Sequence, residues 1–271
     1  LPSEVLTQRN RVIRVRIGRP ISVEAQQEQE NLEDFTEFLR RKTYMLSNAF
    51  EEGRLFDKVP TSFKFPRSPK EIITPVSKEL MEREVNELRA LDLRLLQSKN
   101  YEVFLAKAKQ MPYILREIGR LREITFREVG EGTNQAIDTD EFDEYYHHLF
   151  LWDSDEKAIV GAYRMGMGSE IFKTKGIDGF YMQDLFKFEP ELHKMMSESI
   201  EMGRAFIVSD YQQKPMPLFL LWKGIVHTTL RHPEHKYLIG GVSISNQFSN
   251  FSKSLRIEFM KSHYWDPYVA Q

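Results

Sequence analysis

From residue 101 onward the chain alternates short apolar segments with longer segments of helical periodicity, and this alternation limits the fold more than any other feature. Strands are predicted at 101–106, 145–152, 158–165, 204–211 and 237–245. Helices are predicted at 112–129, 217–230 and 251–263. This order predicts an α/β fold, layered in the α+β manner, in which a central mixed and mostly antiparallel sheet is flanked by helices.

The first hundred residues follow a different pattern. A strand is predicted at 12–18 and a helix at 24–47, before a stretch with four prolines and no sustained period. We interpret residues 51–76 as a linker or as a segment draped over the domain. A further helix is predicted from Ser77 to about Leu96. These patterns divide the chain into 1–50, the linker and a domain at 77–271.

Composition removes several classes of function. The chain has no Cys, which excludes disulfides, a Cys nucleophile and Cys-ligated zinc. Its net charge of −2 argues against nucleic acid as a partner. The longest apolar run, LFLLW at 218–222, is far shorter than the roughly 20 residues that span a bilayer. His232 and His235 lie in a loop, and without further ligands we expect no bound metal there.

Two arginines stand where apolar residues are expected. Arg122 lies in the middle of the apolar stripe of the helix at 112–129, and Arg164 follows apolar residues in the strand at 158–165. Such a guanidinium either extends to water or meets a carboxylate. Asp138, Asp140 and Asp143 precede the strand pair and are available partners. The sequence leaves open whether they form a polar cluster with the arginines or a solvated loop.

The stretch EMGRAFIVSDY places Glu201 and Arg204 at the entrance of the strand predicted at 204–211. In a regular strand these two side chains point to opposite faces. A glycine within a strand often marks a bulge, which allows both to face one cleft. We therefore expect a bulge at Gly203.

Seven segments carry a resemblance to a known family. In order they are LREITFREVGEG, DTDEFDEYYHHLFLWD, IVGAYRMG, GFYMQDLF, EMGRAFIVSDYQQ, LLWKGI and YLIGGVSIS. They resemble the bacterial ornithine- and glycine-lipid N-acyltransferases, often labelled hemolysin-like, which belong to the GNAT superfamily and are related to the acyl-homoserine-lactone synthases. The resemblance covers roughly residues 101–260 and implies a GNAT-like fold.

The resemblance also implies an activity and a site. Such enzymes transfer a long, typically 3-hydroxyacyl, chain from acyl-carrier protein to the α-amine of an amino acid in aminolipid synthesis. The implied catalytic residues are Glu201, Arg204 and Arg164. The implied substrate-binding residues are Arg122, Phe126, Asp140 and Asp143, which fall where the lactone synthases keep their polar cluster.

Residues 1–46 resemble the C-terminal tail of a lysophospholipid-type acyltransferase domain, whose catalytic motif would lie upstream. We therefore expect 1–50 to be the tail of a preceding domain.

The stretch DYQQKPMPLF lacks the glycine-rich loop with which related enzymes bind the pyrophosphate of coenzyme A. A helix N-terminus with Lys214 and Gln213 nearby suits a single phosphate. This favours the phosphopantetheine thioester of acyl-carrier protein as donor, with acyl-coenzyme A as the alternative and no permanently bound cofactor. Ser243 and Ser245 are expected to line the strand edge along which pantetheine runs, or to pack as ordinary strand residues.

For the mechanism, we expect Glu201 to take the proton of the attacking amine, or else to form an ion pair with Arg204. A backbone N–H near Ala205–Ile207 is expected to bind the oxyanion. Arg164 or Arg204 is expected to hold the carboxylate of the amino acid, while Asp140 and Asp143 hold its ammonium group or brace the arginines.

Three rival functions remain at this stage. They are a lactone-synthase-like enzyme that uses S-adenosylmethionine, a non-catalytic membrane-active protein and a degenerate scaffold. We expect a cytoplasmic location with peripheral contact at the inner face of the membrane, through Phe56, Phe63 and Phe65. Acceptor, acyl length and oligomeric state are left open.

Overall fold

A computed structural model describes residues 17–18, 20–27, 31–47, 69–244 and 248–266. The chain divides into two compact units, one at 65–243 and the other formed by residues 1–64 and 244–271. The strand predicted at 12–18 falls almost entirely outside the described residues, as do most of the linker, Ser245 and the three linker phenylalanines.

The sheet lies within the unit at 65–243, and its strands follow one another in space in chain order. They are Arg94–Ser98 (β1), Tyr101–Lys107 (β2), His147–Asp153 (β3), Ala158–Met167 (β4), Ser199–Ile207 (β5) and Tyr237–Ile239 (β6). Each neighbouring pair is antiparallel except β5 and β6, which are parallel. The predicted mixed, mostly antiparallel sheet of an α/β fold is therefore confirmed.

The α-helices of the described part of the chain are numbered from its start. They are Val23–Gln27 (α1), Leu32–Ser47 (α2), Lys78–Ala90 (α3), Pro112–Glu128 (α4), Gly168–Lys175 (α5), His193–Ser197 (α6), Ser209–Gln212 (α7), Pro215–Arg231 (α8) and Asn250–Tyr264 (α9). Helices α1, α2 and α9 belong to the unit formed by the two ends of the chain, and the others accompany the sheet. None of the helices in the described ranges has the length and apolar character needed to cross a bilayer.

Both faces of the sheet are buried, which explains why β2 and β3 read as continuous apolar runs. On one face Phe104 and Phe150 stack at 5.3 Å between ring centroids and pack with residues of α3 and α4. On the other face Val103 and Leu149 pack with α8. A Cβ added at Gly224 would lie 2.7 Å from Cγ1 of Val103, so glycine is what allows this close approach of α8 to the sheet.

The helix predicted from Ser77 to Leu96 was too long. Helix α3 ends at Ala90, and β1 begins at Arg94. Asp92 has a φ of 55°, in the left-handed region, and this turns the chain back toward the sheet. Ser98 pairs with Tyr101, so Lys99 (φ 54°) and Asn100 form a two-residue hairpin turn that the sequence reading missed.

Two strand predictions were displaced. Strand β5 was expected to begin at 204 but begins at Ser199, five residues earlier, and Glu201 therefore lies inside it. The strand predicted at 237–245 is limited to 237–239, because β6 pairs with only the first three residues of β5. The pairing ends at Glu201 and Ile239.

Residues 69–76 have no regular structure but are held against the domain. The backbone N–H groups of Lys70 and Ile73 donate to the carbonyls of Asn134 and Ala136, and that of Val76 donates to the Glu117 carboxylate. This part of the predicted linker is a draped segment.

Candidate active site

Arg122 is buried, and its guanidinium is surrounded by oxygen acceptors. Its side chain is 1% exposed, and it donates to both carboxylate oxygens of Asp143, at 2.7 and 3.1 Å. It also donates to the backbone carbonyl of Asp138. Of the two predicted fates of this guanidinium, extension to water or pairing with a carboxylate, the second is the one observed.

The segment with Asp138, Asp140 and Asp143 forms a hydrogen-bonded turn rather than a solvated loop. The Asp140 carboxylate accepts hydrogen bonds from the N–H groups of Phe142 and Asp143, and the Asp143 carboxylate accepts one from the N–H of Asp140. This reciprocal cap fixes the short helical turn at Glu141–Glu144. Although burial acts to raise it, the hydrogen bonds from Arg122 hold the pKa of Asp143 well below its usual value.

Arg164 reaches the same turn from β4. It donates to the Asp140 carboxylate and lies 3.5 Å from that of Asp143. Its guanidinium carbon stands 5.3 to 5.4 Å from the ring centroids of Phe142, Tyr146 and Tyr181. The side chain of Arg164 is only 1% exposed, so Arg164 contacts the cluster from its buried side.

Arg204 occupies the bulge in β5. Gly203 pairs with Arg164 and Phe206 with Ala162, so Arg204 and Ala205 stand opposite the single residue Tyr163. The bulge was expected at Gly203, but the residue in the left-handed region is its neighbour Arg204, with φ 49°. A non-glycine residue held there is strained, a feature that clusters at functional sites.

The bonding of Arg204 is incomplete. Its guanidinium lies 3.6 Å from Asp138 and 4.0 Å from Asp140, longer than hydrogen bonds, and its buried Nε has no hydrogen-bond partner. Oδ2 of Asp138 likewise has none. Burial raises the pKa of Asp138. Arg204 therefore keeps donors free for another molecule.

Glu201 is placed differently from the expectation. Its buried carboxylate accepts hydrogen bonds from the hydroxyl of Tyr146 and from the N–H groups of Tyr181 and Met182. Its described contacts do not include an ion pair with Arg204. Burial raises the pKa of Glu201. The carboxylate holds the turn at Tyr181–Asp184 against the sheet.

A cleft of about 740 Å³ lies beside the end of the pairing between β5 and β6. Arg204 and Ala205 of the bulge form part of its wall, and Glu201 does not. Its other lining residues include Phe126, Glu131, Tyr163, Tyr181, Met202, Trp222, Gly240, Gly241 and Ser243. The cleft thus borders the charged cluster at Arg204 and extends along residues 238–243.

The remaining predicted residues lie in two places. Phe126 lines the cleft, with its ring centroid 5.9 Å from the Arg204 guanidinium carbon, and Ser243 lines it while donating to Glu131. Lys214 and Gln213 are exposed at the start of α8 and are not among the lining residues. Pro215 and Pro217 have no N–H, and the N–H of Lys214 donates to the Tyr211 carbonyl, so the start of α8 offers one free N–H group, that of Met216, where an ordinary helix offers four.

Tyr146 and Tyr181 were missed as members of the site. Both rings contact Arg164, and the Tyr146 hydroxyl binds Glu201. Both lie in segments that carry the family resemblance. The ring of His148 contacts the Asp143 carbonyl, and burial lowers the pKa of this histidine to about 4.

Comparison with known proteins agrees with this architecture. Residues 121–222 match the acetyltransferase (GNAT) domain family. A glycine N(alpha)-acyltransferase of Bacteroides thetaiotaomicron is 33% identical over 207 residues, which are 72% of this chain and 61% of that protein. A glycine N(alpha)-acyltransferase of Phocaeicola vulgatus is 31% identical over 207 residues and 63% of its own length. The chain thus spans a little over six tenths of the length of these curated relatives.

The matched segment contains the C-terminal part of α4 with Arg122, together with the strands that carry Arg164 and Arg204. Residues 121–222 of this α/β fold are therefore similar to the GNAT acetyltransferase domain.

Proposed function

We propose that this chain is an N-acyltransferase that forms an amide between an acyl group and the α-amine of an amino acid, with glycine as the first candidate acceptor. The observation that carries the proposal is the cleft between β5 and β6 with the incompletely bonded Arg204 in its wall. The two relatives named for glycine acylation support the choice of acceptor.

The reaction balances without a cofactor. The amine nitrogen attacks the carbonyl carbon of a thioester, a C–N bond forms and the C–S bond breaks. Of the three protons on the acceptor's ammonium group, one stays on the amide, one goes to the leaving thiolate and one reaches solvent through a base. An α-amine has a pKa of roughly 8, so a positioned base speeds the step.

Arg204 suits the carboxylate of the acceptor better than Arg164 does. The Arg204 side chain is 24% exposed and lines the cleft, whereas that of Arg164 is 1% exposed and already bound to Asp140. A guanidinium with free donors binds a carboxylate in a two-pronged fashion. Asp138 and Asp140 lie 3.6 and 4.0 Å from the Arg204 guanidinium and orient it by charge.

Glu201 remains our candidate for the base, and its alternative role is to position a neighbouring turn. Burial raises its pKa toward the working pH, as a general base requires. Because it does not border the cleft, a water molecule must relay the proton. The competing role is positioning, since Glu201 anchors the turn that carries Tyr181.

The backbone of the bulge is our candidate for the oxyanion site. Ala205 is exposed and borders the cleft, and the ladder between β4 and β5 is interrupted there. An N–H donor aimed at the developing oxyanion is typically worth 10²–10³-fold in rate.

We further propose acyl-carrier protein as the donor and aminolipid synthesis as the role. The argument is the absence of a glycine-rich loop before α8 and the reduced number of N–H groups at its start, which suit one phosphate rather than a pyrophosphate.

Contact with lipid fits an amphiphilic product. Helix α8 exposes an almost continuous apolar face made of Leu218, Phe219, Trp222, Val226 and Leu230, and its Trp222 also lines the cleft. We propose this face as the membrane contact, tested by sedimentation with anionic phospholipid vesicles. Wild type should sediment, and Phe219→Ser with Leu230→Ser should reduce the bound fraction at least threefold. Equal sedimentation would end this part of the proposal.

The direct test incubates the purified chain with 3-hydroxyacyl-carrier protein or acyl-coenzyme A and a panel of acceptors that includes glycine, ornithine and S-adenosylmethionine. Mass spectrometry identifies the product. An N-acylamino acid from glycine is the expected result. A product formed only with S-adenosylmethionine would indicate lactone-synthase-like chemistry, and no product with any pair would contradict the proposal.

A further inference from the structure

The cleft beside β5 and β6 has one charged side chain of each sign in its wall. Of the lining residues that the structure describes, Arg204 is the cationic one and Glu131 is the anionic one. The others are apolar residues, glycines, tyrosines and a serine. Glu201 and the aspartates that pair with Arg122 and Arg164 are not among them. Glu131 is therefore the carboxylate that a molecule in the cleft can reach.

The end of α4 fixes the backbone position of Glu131. Gly130 has a φ of 78°, in the left-handed region in which helices commonly end. The N–H of Glu131 then donates to the Phe126 carbonyl at 2.8 Å, and that of Gly130 donates to the Arg127 carbonyl at 3.1 Å. The helix thus closes in a hydrogen-bonded turn, and Glu131 is held directly after it.

The chain is also anchored on the other side of Glu131. The N–H and the hydroxyl of Thr133 donate to the Glu123 carboxylate, at 3.0 and 2.6 Å. The side chain of Glu123 is 0% exposed, and it receives a further hydrogen bond from Arg127. A side chain between two fixed points is presented to a ligand with little loss of conformational freedom on binding.

Phe126 connects Glu131 with Arg204. Its ring centroid lies 5.9 Å from the guanidinium carbon of Arg204, while its backbone carbonyl accepts the N–H of Glu131. The two charged residues therefore flank one aromatic residue and border the same cleft. Opposite charges in one wall are complementary to a small molecule that carries both charges.

The Glu131 carboxylate has room for a ligand. The residue is exposed, and its described hydrogen bonds come from one neutral group, the Ser243 hydroxyl, at 3.0 and 3.1 Å. A carboxylate has about four acceptor positions, and an ammonium group has three N–H donors. Binding of an ammonium group therefore does not require the bond to Ser243 to break.

We propose that Glu131 binds the ammonium group of the acceptor while Arg204 binds its carboxylate, so that the cleft selects a zwitterionic α-amino acid. This inference rests on the proposed function. After the nitrogen has lost a proton to the base, Glu131 still accepts a hydrogen bond from it and orients its lone pair toward the thioester carbonyl. Asp140 and Asp143, which the sequence assigned to the ammonium group or to the arginines, then serve the arginines alone.

The test compares glycine with glycolate, which has a hydroxyl in place of the ammonium group. Glycine is varied as acceptor of the acyl thioester, and glycolate is added as a competitive inhibitor. Glu131→Gln should raise the KM for glycine about fivefold or more, because the ammonium group loses its ion pair, and should leave the inhibition constant of glycolate within about twofold. The matched control is Glu128→Gln, an exposed glutamate in the last turn of α4 that does not line the cleft and should behave like wild type.

Several outcomes would overturn the proposal, and they differ from failure of the proposed function. An unchanged KM for glycine in Glu131→Gln, with N-acylglycine still formed by wild type, would remove Glu131 from acceptor binding and leave the function standing. Equal losses for glycine and glycolate would mean that Glu131 only shapes the cleft. An equal rise of KM in Ser243→Ala, which removes the same hydrogen bond but keeps the carboxylate, would give Glu131 a purely structural role. No product from wild type would contradict the proposed function and this inference together.

Discussion

Two buried groups of charges differ in how completely they are bonded. In the closed cluster Glu102 of β2 accepts hydrogen bonds from Arg89, Arg94 and Ser154, and its carboxylate is satisfied. The open cluster is formed by Arg122, Asp138, Asp140, Asp143, Arg164 and Arg204. In it, Oδ2 of Asp138 and Nε of Arg204 make no hydrogen bond, although Oδ2 of Asp138 lies 3.2 Å from Nε of Arg122. Only the open cluster borders the cleft, through Arg204.

The difference indicates what each cluster is for. Buried ion pairs often contribute little net stability, and they persist where geometry is complete or where function requires them. The closed cluster is complete and joins α3, β1 and β2. The open cluster includes Arg204, which is strained and whose guanidinium is incompletely hydrogen-bonded. We infer that the first holds the fold together and the second binds substrate.

The largest effect is expected for Arg122→Met. This change leaves the buried Asp143 without its main partner, a situation that typically costs about 3–5 kcal/mol. Arg89→Met in the closed cluster should cost about half as much or less, because Glu102 keeps Arg94 and Ser154. Urea denaturation measures both free energies of unfolding. Equal losses would mean that the two clusters do not differ as described.

Acid should weaken the closed cluster. Although burial acts to raise it, hydrogen bonds from Arg89, Ser154 and Arg94 lower the pKa of Glu102 to about 2. A carboxyl with a lowered folded-state pKa contributes stability above its unfolded pKa and loses it as the pH falls toward the folded value. The stability gap between wild type and Glu102→Gln should therefore shrink by on the order of 2 kcal/mol from pH 6 to pH 2.5.

Equilibrium denaturation across this pH range measures the gap. The pH dependence has the opposite sign for Asp138 and Glu201, whose pKa values are raised by burial. Protonation at lower pH removes the cost of burying their charge and so stabilises the fold. A gap that stays constant with pH would contradict the assignment of Glu102.

Glu201→Gln tests the proposed base. The variant should fold, and its acyl-transfer rate at neutral pH should fall at least tenfold, about 1.4 kcal/mol in activation free energy. Tyr146→Phe is the matched variant, because it removes one hydrogen bond to Glu201 while leaving the carboxylate. Rate–pH profiles separate the roles. If Glu201 is the base, only Glu201→Gln loses the acidic limb of the profile. If Glu201 is a positioning residue, Tyr146→Phe gives the same profile as Glu201→Gln. An unchanged rate would remove Glu201 from the mechanism.

The smallest effect is expected at Ser243. Its hydroxyl is exposed and bonds to Glu131 at 3.0 Å, so Ser243→Ala should change the KM for the thioester donor by no more than about twofold. Steady-state kinetics with the donor varied provides the measurement. A tenfold increase would make Ser243 a direct contact of the pantetheine arm.

The sequence predicted those parts of the molecule that depend on local pattern. Paired apolar runs gave β2, β3 and β4, and Arg122 was recognised because a guanidinium contradicted its own helical stripe. Strand β1 was missed because its apolar residues continue the period of α3. Only the left-handed turns at Asp92 and Lys99 separate the two elements, and nothing in those residue types demands such turns.

What could not be read from the sequence depends on distant contacts. Glu201 appeared to stand at the mouth of a strand, yet its partners are donors near residues 146 and 181. Likewise, the strain in the bulge falls on Arg204 rather than on Gly203, since the position is set by pairing with β4. Such partners follow from the fold and not from spacing along the chain.

The most direct test compares glycine with glycinamide, which lacks the carboxylate, as acceptors for wild type and Arg204→Gln. If Arg204 binds the acceptor's carboxylate, the substitution should lower kcat/KM for glycine at least tenfold and leave that for glycinamide within about twofold. Arg89→Gln in the closed cluster should leave both unchanged. Equal losses for the two acceptors in Arg204→Gln would contradict the assignment of the open cluster to substrate binding.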